Sequence, residues 1–297
     1  MKVLVVGATG LLGAEICSLL SQNGHQVRGV ARPTADATKV ERLRSLGVEL
    51  VRADLKDPKT LAMACRGEDA VLTTASITFS RQPGDSIETV DRDGQKHLID
   101  AAKQEHVGRF VYISFSGHID EPSPLRDAKR NVEKHLKESG MEYTILRPSY
   151  FMEIWLSPAL GFDHANAKAT IYGPGEKKLS WIAVGDVARF AVAALENPAA
   201  SRNRVIEVGG PQALSPLDVV KTFERRTGRR FELQHVPTAT LAAQRDAAQD
   251  SLQKSFPALC LCVANGDEID MQQTLKEFPV KLTSVDEYAQ RVTAGAR

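Results

Sequence analysis

Apolar residues fall into short unbroken runs, separated by stretches of helical period, and this alternation fills the first half of the chain. Residues 2–6 (KVLVV), 26–31 (QVRGVA), 48–53 (VELVRA), 70–75 (AVLTTA), 109–115 (RFVYISF) and 143–147 (YTILR) read as six strands. Runs that stay apolar on successive positions suit strands buried on both faces. Leu12, Ile16, Leu19 and Leu20 predict a helix that stops at a C-terminal cap, Asn23-Gly24. Further helices are expected over 58–65, over 91–105 with Leu98, Ile99, Ala101 and Ala102 inward, and over 127–140. Alternation of this kind predicts an α/β fold with a doubly wound parallel sheet, because right-handed crossovers cover both faces with helices.

The rhythm changes after Pro148. Residues 154–165, with Trp155, Pro158 and Gly161, read as irregular, 169–171 as a short strand and 173–175 (GPG) as a turn. An alanine-rich helix over 184–197 and a strand over 204–208 follow. Ser215 before Pro216 and Asp218 opens a helix, and Ser284 with Glu287 opens the last one with a capping box. The polar stretch 246–254 reads as an exposed helix face. The expected division is a core over 1–153 and a smaller α/β lobe over 154–297, with segments near 181–210 returning to the core.

The first strand runs into Gly7-Ala8-Thr9-Gly10-Leu11-Leu12-Gly13. Strand, glycine turn, helix and strand form the layout that cradles a dinucleotide. Gly7 permits the tight turn, Gly10 lets the backbone approach a pyrophosphate, and Gly13 lets helix and strand pack closely. Phosphate would sit on amides at the positive end of the helix, which makes Thr9, Leu11 and Leu12 candidate contacts with the three glycines. An NAD site would place a carboxylate at the end of the second strand. This chain has Arg32 there, 19 positions after Gly13, with no acidic neighbour before Asp36. A guanidinium can pair with a 2′-phosphate, so NADP is favoured over NAD.

Composition narrows the classes. A net charge of +1, from 38 basic and 37 acidic residues, gives no electrostatic case for nucleic acid or an anionic membrane. No apolar run approaches the roughly 18–20 residues a membrane span needs. The chain opens directly into a strand, with no signal peptide, so a cytoplasmic protein is expected. Cys17 and Cys65 fall in helical patterns as apolar fillers. Cys260-Leu261-Cys262 lacks the usual two-residue spacer, the seven histidines are scattered, and no metal site is expected.

Several segments together resemble the NmrA-like group of atypical short-chain dehydrogenase/reductases, whose core is a Rossmann fold that binds NAD(P). They are VVGATGLLG, ADLKDP at 53–58, DRDGQKHLIDAAK at 91–103, RFVYISFSG at 109–117, AKRNVEKHLKESGMEYTILRPSYFME at 128–153, WIAVGDVARFAVAALENP at 181–198 and the segment 205–229. The resemblance is weakest over the last 65 or so residues. It implies that Asp54 takes the adenine amino group with Leu55 on the ring. It also implies that Thr74, Ala75 and Ser76 border the ribose and nicotinamide. Pro148, Tyr150 and Phe151 lie at the end of the sixth strand, where open α/β sheets bind ligands.

In the better-known short-chain dehydrogenases, Ser, Tyr and Lys cooperate, with Tyr four positions before Lys. This chain offers Ser114 or Ser116 and Lys129, but Leu125 stands where the tyrosine would be. Three readings follow. The acceptor needs little acid help, as a quinone, activated alkene or delocalised cation would; or Tyr150, Tyr172, His118 or Lys129 donates the proton; or the protein is an NADP sensor acting through a protein partner. Leu125 argues against a sugar-nucleotide epimerase. The substrate pocket is expected among residues 148–152, 76–81 and the lobe near Trp155 and Trp181, with an apolar or aromatic small molecule as its ligand. Self-association as a homodimer is compatible with all three readings.

Overall fold

The computed structural model describes residues 1–78 and 81–294. Among the described residues there are ten strands: β1 (Lys2–Val6), β2 (Gln26–Ala31), β3 (Glu49–Arg52), β4 (Ala70–Thr73), β5 (Arg109–Ile113), β6 (Glu142–Pro148), β7 (Phe162–Asp163), β8 (Lys168–Tyr172), β9 (Arg204–Val208) and β10 (Glu232–Val236). Seven form one sheet in the order β3-β2-β1-β4-β5-β6-β9. β1 through β6 pair in parallel, with Val5 opposite Gly29 on one side and Leu72 on the other. The winding reverses between β1 and β4, so their C-terminal ends flank the point where such sheets bind ligands. Helices α1 (Leu11–Gln22), α2 (Ala37–Ser45), α3 (Pro58–Cys65), α4 (Gln95–Gln104) and α5 (Pro124–Glu138) make the crossovers. Val3, Leu4, Val5, Leu72, Phe110 and Ile145 are almost wholly buried, as strands covered on both faces require.

The described residues form two compact units, one within 1–114, 127–146 and 188–206, the other of 115–126, 147–187 and 207–294. The second holds the small sheet, in which β8 pairs parallel with β10 and antiparallel with β7. Its core gathers Tyr150, Trp181, Phe223, Val285 and Tyr288.

Several elements differ from expectation. The helix expected over 91–105 begins at Ile87 as a wide π-type coil, Ile87–Gly94, and becomes α-helical only at Gln95. Ser86 and Thr89 start it with a capping box, a pair that apolar periodicity cannot reveal. The helix expected from 127 starts at Pro124, which brings Leu125 into its first turn at 2% exposure. The polar stretch 246–254 is no single helix face: one helix ends at Ala247 and Asp250 caps the next, Ser251–Asn265. β10 and α2 are additions; β10 is almost entirely exposed and so carries no buried period to read.

Candidate active site

Gly7 has φ of 88°, and a Cβ there would lie 2.6 Å from Thr74 Oγ1. A Cβ on Gly13 would lie 2.1 Å from the Gly7 carbonyl oxygen, so the start of α1 packs against β1 only without a side chain. Gly10 is different: its Cβ would meet only the Gly7 oxygen, at 3.1 Å, and its backbone is extended. Its amide donates to the Gly7 carbonyl at 2.9 Å. The amides of Leu11, Leu12 and Gly13 have no backbone acceptor among the described residues, and the Leu11 side chain is 58% exposed. The turn therefore offers open donors, a helix N-terminus and an uncluttered approach at Gly10, which fits a pyrophosphate.

Arg32 ends β2. Its guanidinium lies 2.6 Å from Asp85 Oδ2, and Lys56 Nζ lies 2.5 Å from Asp85 Oδ1. Burial pushes the Asp85 carboxyl up, but the hydrogen bonds from Lys56, Arg32 and the Gln82 amide outweigh it, and the group titrates below the ordinary carboxylate range. Two cations thus share one carboxylate beside β2, and Lys56 Nζ also lies 3.9 Å from Asp54 Oδ2. Asp54 accepts from the Lys56 amide at 2.9 Å, and Leu55 is buried with its Cβ close to Gly94.

Beyond β4, the Ala75 carbonyl accepts from Gln95 Nε2 at 2.8 Å, and Gln95 also holds Thr73. Ser76 Oγ lies 3.3 Å from Thr78 Oγ1 and accepts from the Thr78 amide. Asp91, on the π-type turn, accepts from the Ile77 amide at 3.1 Å and fixes this loop. Its other oxygen is 3.7 Å from Lys129 Nζ and has no hydrogen-bond partner among the described residues. Both groups are buried. Burial lowers the Lys129 pKa against the pull of Asp91, and burial raises that of Asp91 against the pull of Lys129. Lys129 Nζ also sits 5.2 Å from the centre of the Tyr112 ring, whose buried hydroxyl has no partner among the described residues. Ser114 is turned elsewhere: its hydroxyl donates to Glu133 Oε1 at 2.6 Å, an oxygen that Arg130 also holds at 2.7 Å.

In the second unit the Tyr150 hydroxyl donates to the Leu259 carbonyl at 3.4 Å, and burial pushes its pKa well up. Its ring meets Trp155 edge-on at 4.9 Å and Trp181 at 6.2 Å. These aromatics fill core volume; the space beside Trp155, Tyr172 and Trp181 is about 30 Å³, too small for a ligand. A larger cavity of about 420 Å³ is lined by residues 210–213, 269–272, Leu275, Val280 and Leu282. The Pro148 carbonyl accepts from the Ser116 amide, and Phe151 bridges to Ile182. Of the stretch 76–81 expected to wall a pocket, residues 79 and 80 lie outside the described residues. All four cysteines are buried free thiols, and no metal-binding cluster occurs among the described residues.

Sequence reasoning missed Asp85, Asp91, Tyr112 and Asp267, which in the second unit accepts from the Ser116 and Ser149 hydroxyls at 2.7 and 2.6 Å and lies 2.9 Å from His118 Nδ1. Asp85 is 53 positions from Arg32, and Tyr112 reads as one more apolar strand residue. Asp91 stands among other acids of its segment, Asp93 and Asp100, and so carried no distinct signal either.

The NmrA-like family matches residues 1–289. The NAD(P)H azoreductase of Xenophilus azovorans is 33% identical over 229 residues, covering 76% of this chain and 74% of that one. The photosystem II assembly factor Ycf39 of Synechocystis is 31% identical over 253 residues, covering 82% and 73%. A solved NADPH-dependent quinone oxidoreductase from Escherichia coli, complexed with NADPH, superposes with a TM-score of 0.79 at 22% identity, covering 98% and 99%. At that identity the likeness speaks to the fold. No described helix is long and apolar enough to cross a membrane.

Proposed function

This chain belongs to the NmrA-like family, and on that premise we propose that it is an NADPH-dependent reductase of flat, apolar acceptors such as quinones, activated alkenes or delocalised cations. The observation that carries the reading is the Gly7–Gly13 turn, whose open amides and bare Gly10 stand at the sheet's switch point with the Arg32–Lys56 corner at the end of β2. NADPH, when bound, supplies a hydride from its nicotinamide ring. The amides of Leu11, Leu12 and Gly13 hold the pyrophosphate, while Thr9 and Gly7 shape the turn. Arg32 and Lys56 take the 2′-phosphate in place of Asp85. Asp54 and Leu55 receive the adenine. Thr74, Ala75 and Ser76 lie along the ribose, and Lys129, steadied by Asp91, orients it. Tyr150, packed among Trp155 and Trp181 in the second unit's core, is left out of the cofactor's contacts. Ser114 acts through Glu133 rather than on the acceptor.

Leu125 is buried where a proton-donating tyrosine would stand, so acceptors that take a hydride readily are favoured, and placement supplies most of the rate. The azoreductase relative supports reductive chemistry on a conjugated acceptor. The test is a screen of NADPH and NADH oxidation against quinones, activated alkenes and cationic dyes. The reading expects oxidation with at least one class and a preference for NADPH. The assembly-factor relative favours a second reading, an NADP-responsive partner of another protein. Tight NADPH binding that alters protease sensitivity over 150–185, with no oxidation by any acceptor, would decide for that one.

A further inference from the structure

Asp85, in the first unit, is a carboxylate enclosed by the donors of an anion site. Its side chain is 1% exposed, although the neighbouring Pro83 and Gly84 lie on the surface. Arg32 Nη1 donates to Oδ2 at 2.6 Å, the Gln82 amide donates to the same oxygen at 2.9 Å, and Lys56 Nζ donates to Oδ1 at 2.5 Å. A guanidinium, an ammonium and a backbone amide are also the donors that hold a phosphate monoester. Lys56 Nζ lies 3.9 Å from Asp54 Oδ2 as well, so two cations stand against two carboxylates. An arriving phosphate meets no uncompensated charge among these four groups until Asp85 leaves.

Position gives the carboxylate its meaning. Arg32 directly follows β2 and Lys56 comes shortly after β3, its parallel neighbour. The C-terminal ends of parallel strands are where such sheets place ligands. Asp85 belongs to neither strand end; it stands 53 positions after Arg32 and 29 after Lys56. Its turn also meets them through Gln82 Nε2, which donates to the Thr34 carbonyl at 3.4 Å, and through Lys56 Nζ, which reaches the Pro83 carbonyl at 3.4 Å. Among the described residues, no backbone hydrogen bond joins residues 81–86 to β2 or β3. One ion pair would suffice to tie the turn to the sheet. Two cations and an amide on one buried carboxylate form the donor set of an occupied anion site.

We infer that Asp85 is a built-in competitor for the cofactor's 2′-phosphate and sets how far the protein distinguishes NADPH from NADH. The inference rests on the NADPH reading above, and it holds whether the bound cofactor reduces an acceptor or serves as a signal. NADPH brings a phosphate that takes Arg32 and Lys56 once Asp85 is displaced. NADH brings only a hydroxyl to the same place and leaves Asp85 where it is. Displacement therefore weighs on NADPH alone, and the protein binds NADPH less tightly than its two cations would allow.

The experiment measures binding by calorimetry at one fixed ionic strength, for the parent, Asp85→Asn and Asp85→Ser. The ligands are NADPH, NADH, adenosine 2′,5′-bisphosphate and adenosine 5′-monophosphate. Freeing charge-assisted hydrogen bonds from competition is worth about tenfold or more, so both variants should bind NADPH and the bisphosphate that much more tightly. NADH and the monophosphate should shift by no more than about twofold, because only screened, longer-range charge reaches them. Unchanged NADPH affinity would mean that Asp85 keeps its place when the cofactor binds. Weaker NADPH binding would mean that Asp85 arranges the cations for the phosphate, and equal gains for NADPH and NADH would mean a general effect of charge. Each of these overturns the inference. So would circular dichroism showing that neither variant folds, since the carboxylate would then belong to the fold and could not be displaced. A parent that binds neither dinucleotide defeats the NADPH reading itself, and this inference with it.

Discussion

Glycines that look equivalent in a motif do different work. Gly13 is demanded by the fold, because a Cβ would lie 2.1 Å from a carbonyl oxygen, whereas a Cβ on Gly10 would meet one carbonyl oxygen at 3.1 Å, a contact that a small shift relieves, on an ordinary backbone conformation. Gly10→Val should therefore fold normally and lose dinucleotide binding, while Gly13→Val should fold poorly. Circular dichroism with calorimetric titration checks both; a folded Gly10→Val protein that still binds NADPH would move the dinucleotide elsewhere. Lys129 is similarly bound to its setting. Lys129→Met strands the buried Asp91 carboxylate, and breaking such a pair costs about 3–5 kcal/mol. Adding Asp91→Asn should recover most of that loss in urea unfolding, and a double variant no more stable than the single would refute the pairing. The glycine turn was legible in the sequence because its constraint is local. Asp85, Asp91 and Asp267 were not, because each matters through a partner brought close only by the sheet.

Elements were legible where burial is periodic or where an end is chemically marked. β1, β2, α3 and β9 have the expected bounds, and the caps at Ser215 and Ser284 both form. The π-type start at Ile87 was not legible, since its widened coil arises where Gly94 is pressed against Leu55. The last helix, Val285–Thr293, makes a clean test of a marked end. Ser284 accepts from the Glu287 amide at 3.1 Å, and Glu287 reaches back to the Ser284 amide at 2.7 Å. With only nine residues, the helix depends on its cap and on burying Val285, Tyr288 and Ala289. Ser284→Ala should cost about 1 kcal/mol and lower the melting temperature by roughly 2 °C. No shift in calorimetry would show that packing alone holds the helix.

Across the whole molecule, the buried thiols report on integrity. Burial pushes Cys17, Cys65 and Cys260 up to about 12, and Cys262 up to about 11, from an ordinary 9.0. Native protein at mildly alkaline pH should show almost no reactive thiol, and denatured protein should show all four. The sign for stability follows. Thiols whose folded pKa lies above the unfolded value favour the native state below about 9, and that contribution is lost as pH rises toward 12. Denaturant midpoints should thus fall over that window; a midpoint flat to pH 12 would contradict the burial.

The central claim is that this chain moves a hydride from NADPH to a bound acceptor. The most direct measurement uses NADPH carrying deuterium at the reactive carbon of its nicotinamide, with a cationic triarylmethane dye or activated alkene that gains a carbon-bound hydrogen. The account predicts that NADPH is oxidised and that mass spectrometry finds one deuterium in the reduced acceptor for each NADPH consumed. Reduced acceptor without deuterium from either face of the ring, or NADPH that binds and is never oxidised, would contradict it.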